Sequence, residues 1–179
     1  MQEDKSPRIG FVCAYTPLVV VDAAGFSPFR IFPFGEWPDQ AGHLLHDNLC
    51  PHVKRILDRA LDRDLPKLAG MVFVNSCDAM RRAADAWQKL RPEEPLFVID
   101  LPATTDESAI QFLAREYGRL ATRLHEWGGS PIQREHIERS TDTYNDVANL
   151  LAELRTKSRQ GLLNGGRPRL QELYNQAST

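Results

Sequence analysis

The feature that most constrains this chain is the run GMVFVNSC at residues 70–77. Its first five residues leave no place for a solvated face, and valine and phenylalanine favour strands. A strand that is apolar on both sides belongs in a parallel sheet covered by helices front and back. Two further short runs have the same character, Arg8–Ala14 (RIGFVCA) and Leu96–Leu101 (LFVIDL). Phe29–Phe34 (FRIFPF) reads as another short strand, with Pro33 limiting its ladder.

Helical patterns lie between the strands. Thr16-Pro17 reads as an N-cap followed by proline at the first helical position, opening LVVVDAA, with Gly25 as the stop. From about His52 to Leu68, Val53, Ile56, Leu57, Ala60 and Leu61 fall on one helical face. Asp78 is a candidate cap for DAMRRAADAWQKL. TDES at 105–108 opens a long helix to about Trp127, ended by Gly128-Gly129. A second long helix is predicted from near Ser130-Pro131 to about Arg159. This alternation predicts an α/β fold: a parallel sheet of about four strands with helices on both faces, plus C-terminal long helices. The expected division is an α/β domain over 8–129, a helix over 130–160 packing on it or leading to a second domain, and a tail over 161–179.

The chain's 179 residues, 42% of them hydrophobic, suffice for one core. A net charge of −2 gives no basic field for nucleic acid. No apolar run is long enough to span a membrane, and MQEDKSPR lacks the apolar stretch of a signal peptide. Three cysteines is an odd number for a disulfide framework, so a reducing cytoplasm is the expected compartment. No GxSxG, Walker A or GxGxxG motif is present.

Chemistry in parallel α/β sheets collects at the carboxyl ends of strands. Cys13 and Cys77 stand at such ends, and Cys50 precedes Pro51 at a loop-to-helix junction. No CxxC pair exists, so spacing alone does not make a metal site, and each cysteine reads equally as a small buried hydrophobe. Placement favours convergence, since a helix N-terminus behind Cys77 attracts anionic ligands. His43, His46 and His52 cluster around Cys50; a mixed Cys/His zinc site is one reading and solvated surface histidines the other. Tyr15, Asn75, Ser76 and Asp78 flank the cysteines, either as outer hydrogen-bonding partners of a metal site or as turn and cap residues.

IGFVCAYTPLVVVDAAGFSPFRIF resembles the opening of the 2-hydroxyacyl-CoA dehydratase and benzoyl-CoA reductase family, through Gly10, Cys13, Tyr15, Pro17, Ala23-Ala24-Gly25 and Arg30. The segment 49–87 resembles the family's next part, through Cys50, Cys77, Asp78, Arg81 or Arg82, and Trp87. DLP at 100–102 and YNDVANLLAELR at 144–155 also fit. The resemblance spans about residues 8–160. It implies a [4Fe-4S] cluster held by Cys13, Cys50 and Cys77, with one iron lacking a protein ligand. It further implies one-electron reduction of an acyl-CoA thioester, by way of a ketyl radical in dehydratases or ring reduction in reductases. A second dehydratase or reductase subunit and an ATP-dependent iron–sulfur activator protein are the implied partners. Two departures stand out. Leu18 and Val19 occupy positions where relatives carry acidic residues. The family's subunits are about twice as long, so the chain is expected to be a fragment or a short relative that borrows its second half. A cluster-carrying or scaffold subunit without its own activity, and a cluster-free α/β binding domain, are the alternatives.

Overall fold

The computed structural model describes residues 6–34, 40–62 and 64–176. Among the described residues, four strands form one sheet: β1 (Arg8–Phe11), β2 (Ser27–Arg30), β3 (Leu68–Asn75) and β4 (Leu96–Asp100), all parallel in the order β2-β1-β3-β4. Six α-helices accompany them among those residues: α1 (Leu18–Ala23), α2 (Pro51–Asp62), α3 (Asp78–Leu90), α4 (Glu107–Glu126), α5 (Arg134–Arg159) and α6 (Gly166–Gln176). A 3-10 turn, Gln40–His43, precedes α2. The expected α/β class and its four parallel strands are both present.

The period-2 geometry of β3 sorts the core into two layers. Met71 and Phe73 face α2 and α3, among Val53, Ile56, Leu57, Ala83 and Trp87. Val72 and Val74 face α1 and α4, among Val21, Phe26, Leu120 and Leu124. Trp87 is fully buried, meets Phe73 edge-on at 5.9 Å, and donates its indole N–H to Glu94 Oε2 at 3.2 Å. Glu94 is itself buried and paired with Arg91. At Gly70, a Cβ would stand 2.5 Å from the Trp127 ring, so only glycine lets that ring close the amino edge of the sheet.

Several boundaries differ from the sequence reading. β2 pairs over Ser27–Arg30 rather than Phe29–Phe34, because its register is set by β1, from Arg8↔Ser27 to Phe11↔Arg30. Its place at the sheet's edge accommodates Pro28. Pro17, not Thr16, holds the cap position of α1 and makes no capping bond. Cys77, not Asp78, holds the cap position of α3, and Asp78 is the first helical residue. The cap of α4 is Asp106, which accepts from Ala109 N at 2.9 Å. The Ser108 hydroxyl bond first, then those from Ala109 N and the Thr104 hydroxyl, hold the Asp106 carboxyl below its usual range. α2 spans Pro51–Asp62, short of Leu68; Pro66 disfavours helix at the residue before it. α5 begins at Arg134, after Gln133, whose extended backbone holds the cap position, while Ser130 N is bonded to Ala24 O at 2.9 Å. Within the stretch read as a tail, Gly166–Gln176 form α6.

A polar contact ties α5 to α1: the buried Ser140 hydroxyl donates to Asp22 Oδ2. Beside it, burial first and the Asp22 charge second push Tyr144 up to about 12. The phenol is therefore held neutral in the folded state.

Two outcomes follow. Trp87→Ala should cost about 3–5 kcal/mol, since it opens a cavity and leaves Glu94 short of a donor; urea denaturation measures this. The raised Tyr144 pKa means that the folded state resists deprotonation. Its contribution is therefore full below pH 10 and is lost as pH rises towards about 12. Tyr144→Phe should flatten that alkaline fall in a pH series of denaturation midpoints, relative to the parent chain.

Candidate metal centre

In a parallel sheet each helix returns antiparallel to the strands, so helix N-termini and strand carboxyl ends share one edge. All three cysteines stand on that edge. Cys13 lies two residues past the end of β1, and Cys77 two residues past the end of β3, its hydrogen-bonded neighbour. Cys50 precedes α2 directly, with its carbonyl accepting from Val53 N at 3.2 Å. α2 leads back to the amino end of β3, so Cys50 also comes to the carboxyl edge.

The side chains differ in setting. Cys13 is 9% exposed and packs in the α1/α4 layer with Val21, Phe26 and Val74. Cys50 and Cys77 are exposed and start the two helices of the opposite layer. All three are free thiols. The Cys13 sulfur lies 3.4 Å from the Ser76 hydroxyl. Among the described residues, no three His, Cys, Asp or Glu side chains are grouped closely enough to hold a metal ion. The donor chemistry suits iron, and the edge is shared, yet the sulfurs are not gathered into one ligand set. His43, His46 and His52 are each exposed, and His46 Nδ1 accepts from Asn48 N at 3.2 Å. Partial shielding of its ring from water first, and the nearby Arg30 charge second, lower the His52 pKa, which favours its neutral form.

Around the edge is polar structure that the sequence reading did not resolve. Asn75 donates to Asp100 Oδ1 at 2.7 Å and accepts from Arg81 at 3.1 and 3.3 Å. This joins the ends of β3 and β4 to the first turn of α3. It also separates two adjacent arginines, because Arg82 turns instead to Asp78 at 3.7 Å. From α4, the buried Glu116 accepts from Asp100 N at 3.2 Å and pairs with Arg119. A charged residue at a helical core position was its only signal in the sequence. Thr16, read as a cap, is 5% exposed, and its hydroxyl has no hydrogen-bond partner among the described residues. Tyr15 is 66% exposed just beyond Cys13.

A cleft of about 490 Å³ opens beside this edge. Leu49 and Asp78, the chain neighbours of Cys50 and Cys77, are both in its wall, with Leu44, Leu45 and Leu90 giving it an apolar floor. The loop forming one wall is pinned by α2: Asp58 accepts from Ala41 N at 2.7 Å, and Lys54 donates to Asp47 O at 3.3 Å.

The sequence pattern of the 2-hydroxyglutaryl-CoA dehydratase D-component matches residues 13–168, which takes in all three cysteines and runs through α5. The chain belongs to that family. It is also similar to one of the subunits of benzoyl-CoA reductase from Thauera aromatica, at 21% identity over 149 residues, covering 82% of this chain. The chain spans 39% of the length of that relative. No helix among the described residues is long and apolar enough to cross a membrane.

The geometry predicts unequal thiol reactivity. Under native conditions, iodoacetamide should label Cys50 and Cys77 readily, with Cys13 modified only after unfolding; peptide mass mapping distinguishes the three.

Proposed function

We propose that this chain is the cluster-bearing part of a 2-hydroxyacyl-CoA dehydratase-like or benzoyl-CoA reductase-like enzyme, with Cys13, Cys50 and Cys77 as ligands of a [4Fe-4S] cluster. The observation that carries the reading is the shared carboxyl edge of three free thiols in a chain of this family. A bound cluster supplies a single low-potential electron for reduction of an acyl-CoA thioester. Ligation requires the exposed sulfurs of Cys50 and Cys77 to approach Cys13. Each is at a helix start next to a loop, where backbone adjustment is least costly.

The chain's own groups have definable parts in this scheme. Two ligands precede helices α2 and α3, whose N-terminal N–H groups favour a negatively charged cluster. The Ser76 hydroxyl, next to the Cys13 sulfur, stabilises charge there as a hydrogen-bond partner. The Asn75–Asp100–Arg81 network and the buried Glu116 fix the ends of β3 and β4 against movement when the loops close. The half-apolar cleft beside Cys50 and Cys77 suits the acyl end of a thioester. The proposed partners are a second dehydratase or reductase subunit, an ATP-dependent iron–sulfur activator and the acyl-CoA substrate. Free thiols suit a reducing, cytoplasmic setting. We also propose residues 8–129 as the cluster-binding unit, with α5 leading from it towards the rest of the enzyme.

A second reading has its own support. Cys13 is packed in an apolar layer, and no three-donor group is formed among the described residues, which favours a cluster-free α/β binding domain. Iron decides between them. Anaerobic purification or reconstitution should give about four iron and a brown chromophore per chain. Cys13→Ala, Cys50→Ala and Cys77→Ala should each lower that iron content. An iron-free protein after reconstitution, or iron unchanged in all three variants, overturns the cluster reading. Dehydration or ring reduction that appears only on adding a second subunit would identify the chain as a cluster carrier without activity of its own.

A further inference from the structure

A second cleft lies away from the cysteines, between α5 and α6. Leu162 N closes α5 by bonding to Lys157 O at 2.9 Å. Gly165 and Gly166, with φ of 85° and 59°, then reverse the chain into α6, whose first turn contains Pro168. The two helices therefore lie side by side as a hairpin, and a cleft of about 550 Å³ opens between them.

Three arginines are in its lining. Arg155 and Arg159 stand one turn apart on α5, and Arg167 faces them from the first turn of α6. All three are exposed, and none is ion-paired with a carboxylate among the described residues. The Arg155 guanidinium is held over the Tyr174 ring, 5.8 Å from its centre, which orients it without neutralising it. Ser158 adds a hydroxyl on the same wall. Guanidinium groups match phosphate oxygens in geometry and charge, and three around one space exceed what a single carboxylate would need. The volume lies within the range of small-molecule sites and is suited to a nucleotide.

We propose that the α5–α6 cleft binds a ligand carrying more than one phosphate, of the size of an adenine nucleotide, with Arg155, Arg159 and Arg167 as its phosphate contacts. Two sources share that chemistry: the phosphorylated adenosine end of coenzyme A, and a free nucleotide. The coenzyme A source rests on the function proposed above; the phosphate site itself does not. At its other end α6 returns to the sheet. Asn175 and Gln176 share a groove with Phe29, Arg30, Phe32 and Phe34, the chain that leaves the carboxyl end of β2. The end of α6 thus lies on the side of the sheet where the cysteines stand.

Isothermal titration of the full chain with coenzyme A, ADP and pyrophosphate tests the site. Arg159→Gln with Arg167→Gln should weaken binding at least about tenfold, with unchanged circular dichroism and melting temperature. Arg134→Gln with Arg139→Gln, on the same helix outside the cleft, should leave it unchanged. Tighter binding of coenzyme A than of ADP assigns the cleft to the substrate carrier; equal binding of ADP or pyrophosphate assigns it to free nucleotide, and either supports the site. No binding of any probe at millimolar concentration, or equal losses in both double variants, overturns it. The titration needs no cluster, so its failure leaves the iron assay, and the reading that assay tests, untouched.

Discussion

The burial of β3 on both faces is the constraint on which the rest of this structure depends. With Met71, Phe73, Val72 and Val74 all at 0% exposure, no side of that strand is left for water. The arrangement that satisfies it is a parallel sheet between two helical layers, with β1 and β4 taking the two edges of β3. Once that is imposed, every return helix must run antiparallel to the strands. The carboxyl ends of β1 and β3 and the starts of α2 and α3 are then forced onto one edge. The common location of the three cysteines is thus a consequence of core packing as much as of any requirement of a metal.

The same constraint sets the cysteines apart from one another. Alternation along β1 continues past its end, so Val12 enters the α2/α3 layer and Cys13 the α1/α4 layer. Cys50 and Cys77 belong to helices of the opposite layer. A cluster between them has to be bridged over the edge of the sheet, and the groups best placed to stiffen that edge are polar: Ser76 at Cys13, Asn75 and Arg81 at Asp100, Glu116 beneath β4. The interior holds the strands in register, and this polar rim holds their ends.

α5 and α6 obey a different logic. α5 is joined to the body through Ser140, Asp22 and Tyr144, while most of its length is exposed. Leu150 and Leu162 stand at 59% and 70% exposure. Of the 26 residues of this helix Ser140 is the buried one, so nearly all of its charged side chains stand at the surface. The arginines facing α6, the proposed phosphate contacts, lie on that exposed length.

The sequence by itself determined the class of fold, the number of strands and the strand-end setting of Cys13 and Cys77. Those rest on local patterns: continuous apolar runs for buried strands and a 3.6 period for helices. It also carried the family, because the order of three cysteines with Tyr15, Pro17 and Asp78 is a linear signal. Boundaries were decided by tertiary structure. β2 was moved to Ser27–Arg30 by its pairing with β1, and the cap of α3 passed from Asp78 to Cys77, which keeps the extended backbone that leaves β3. Asp78 and Arg82, four apart on one helix, are a local pair, but the bond from Asn75 to Asp100 that turns Arg81 to the sheet edge needed three dimensions. The same holds for the layer each sulfur enters and for the arginine cleft. These are properties of distance between residues remote in the chain, which no local pattern contains.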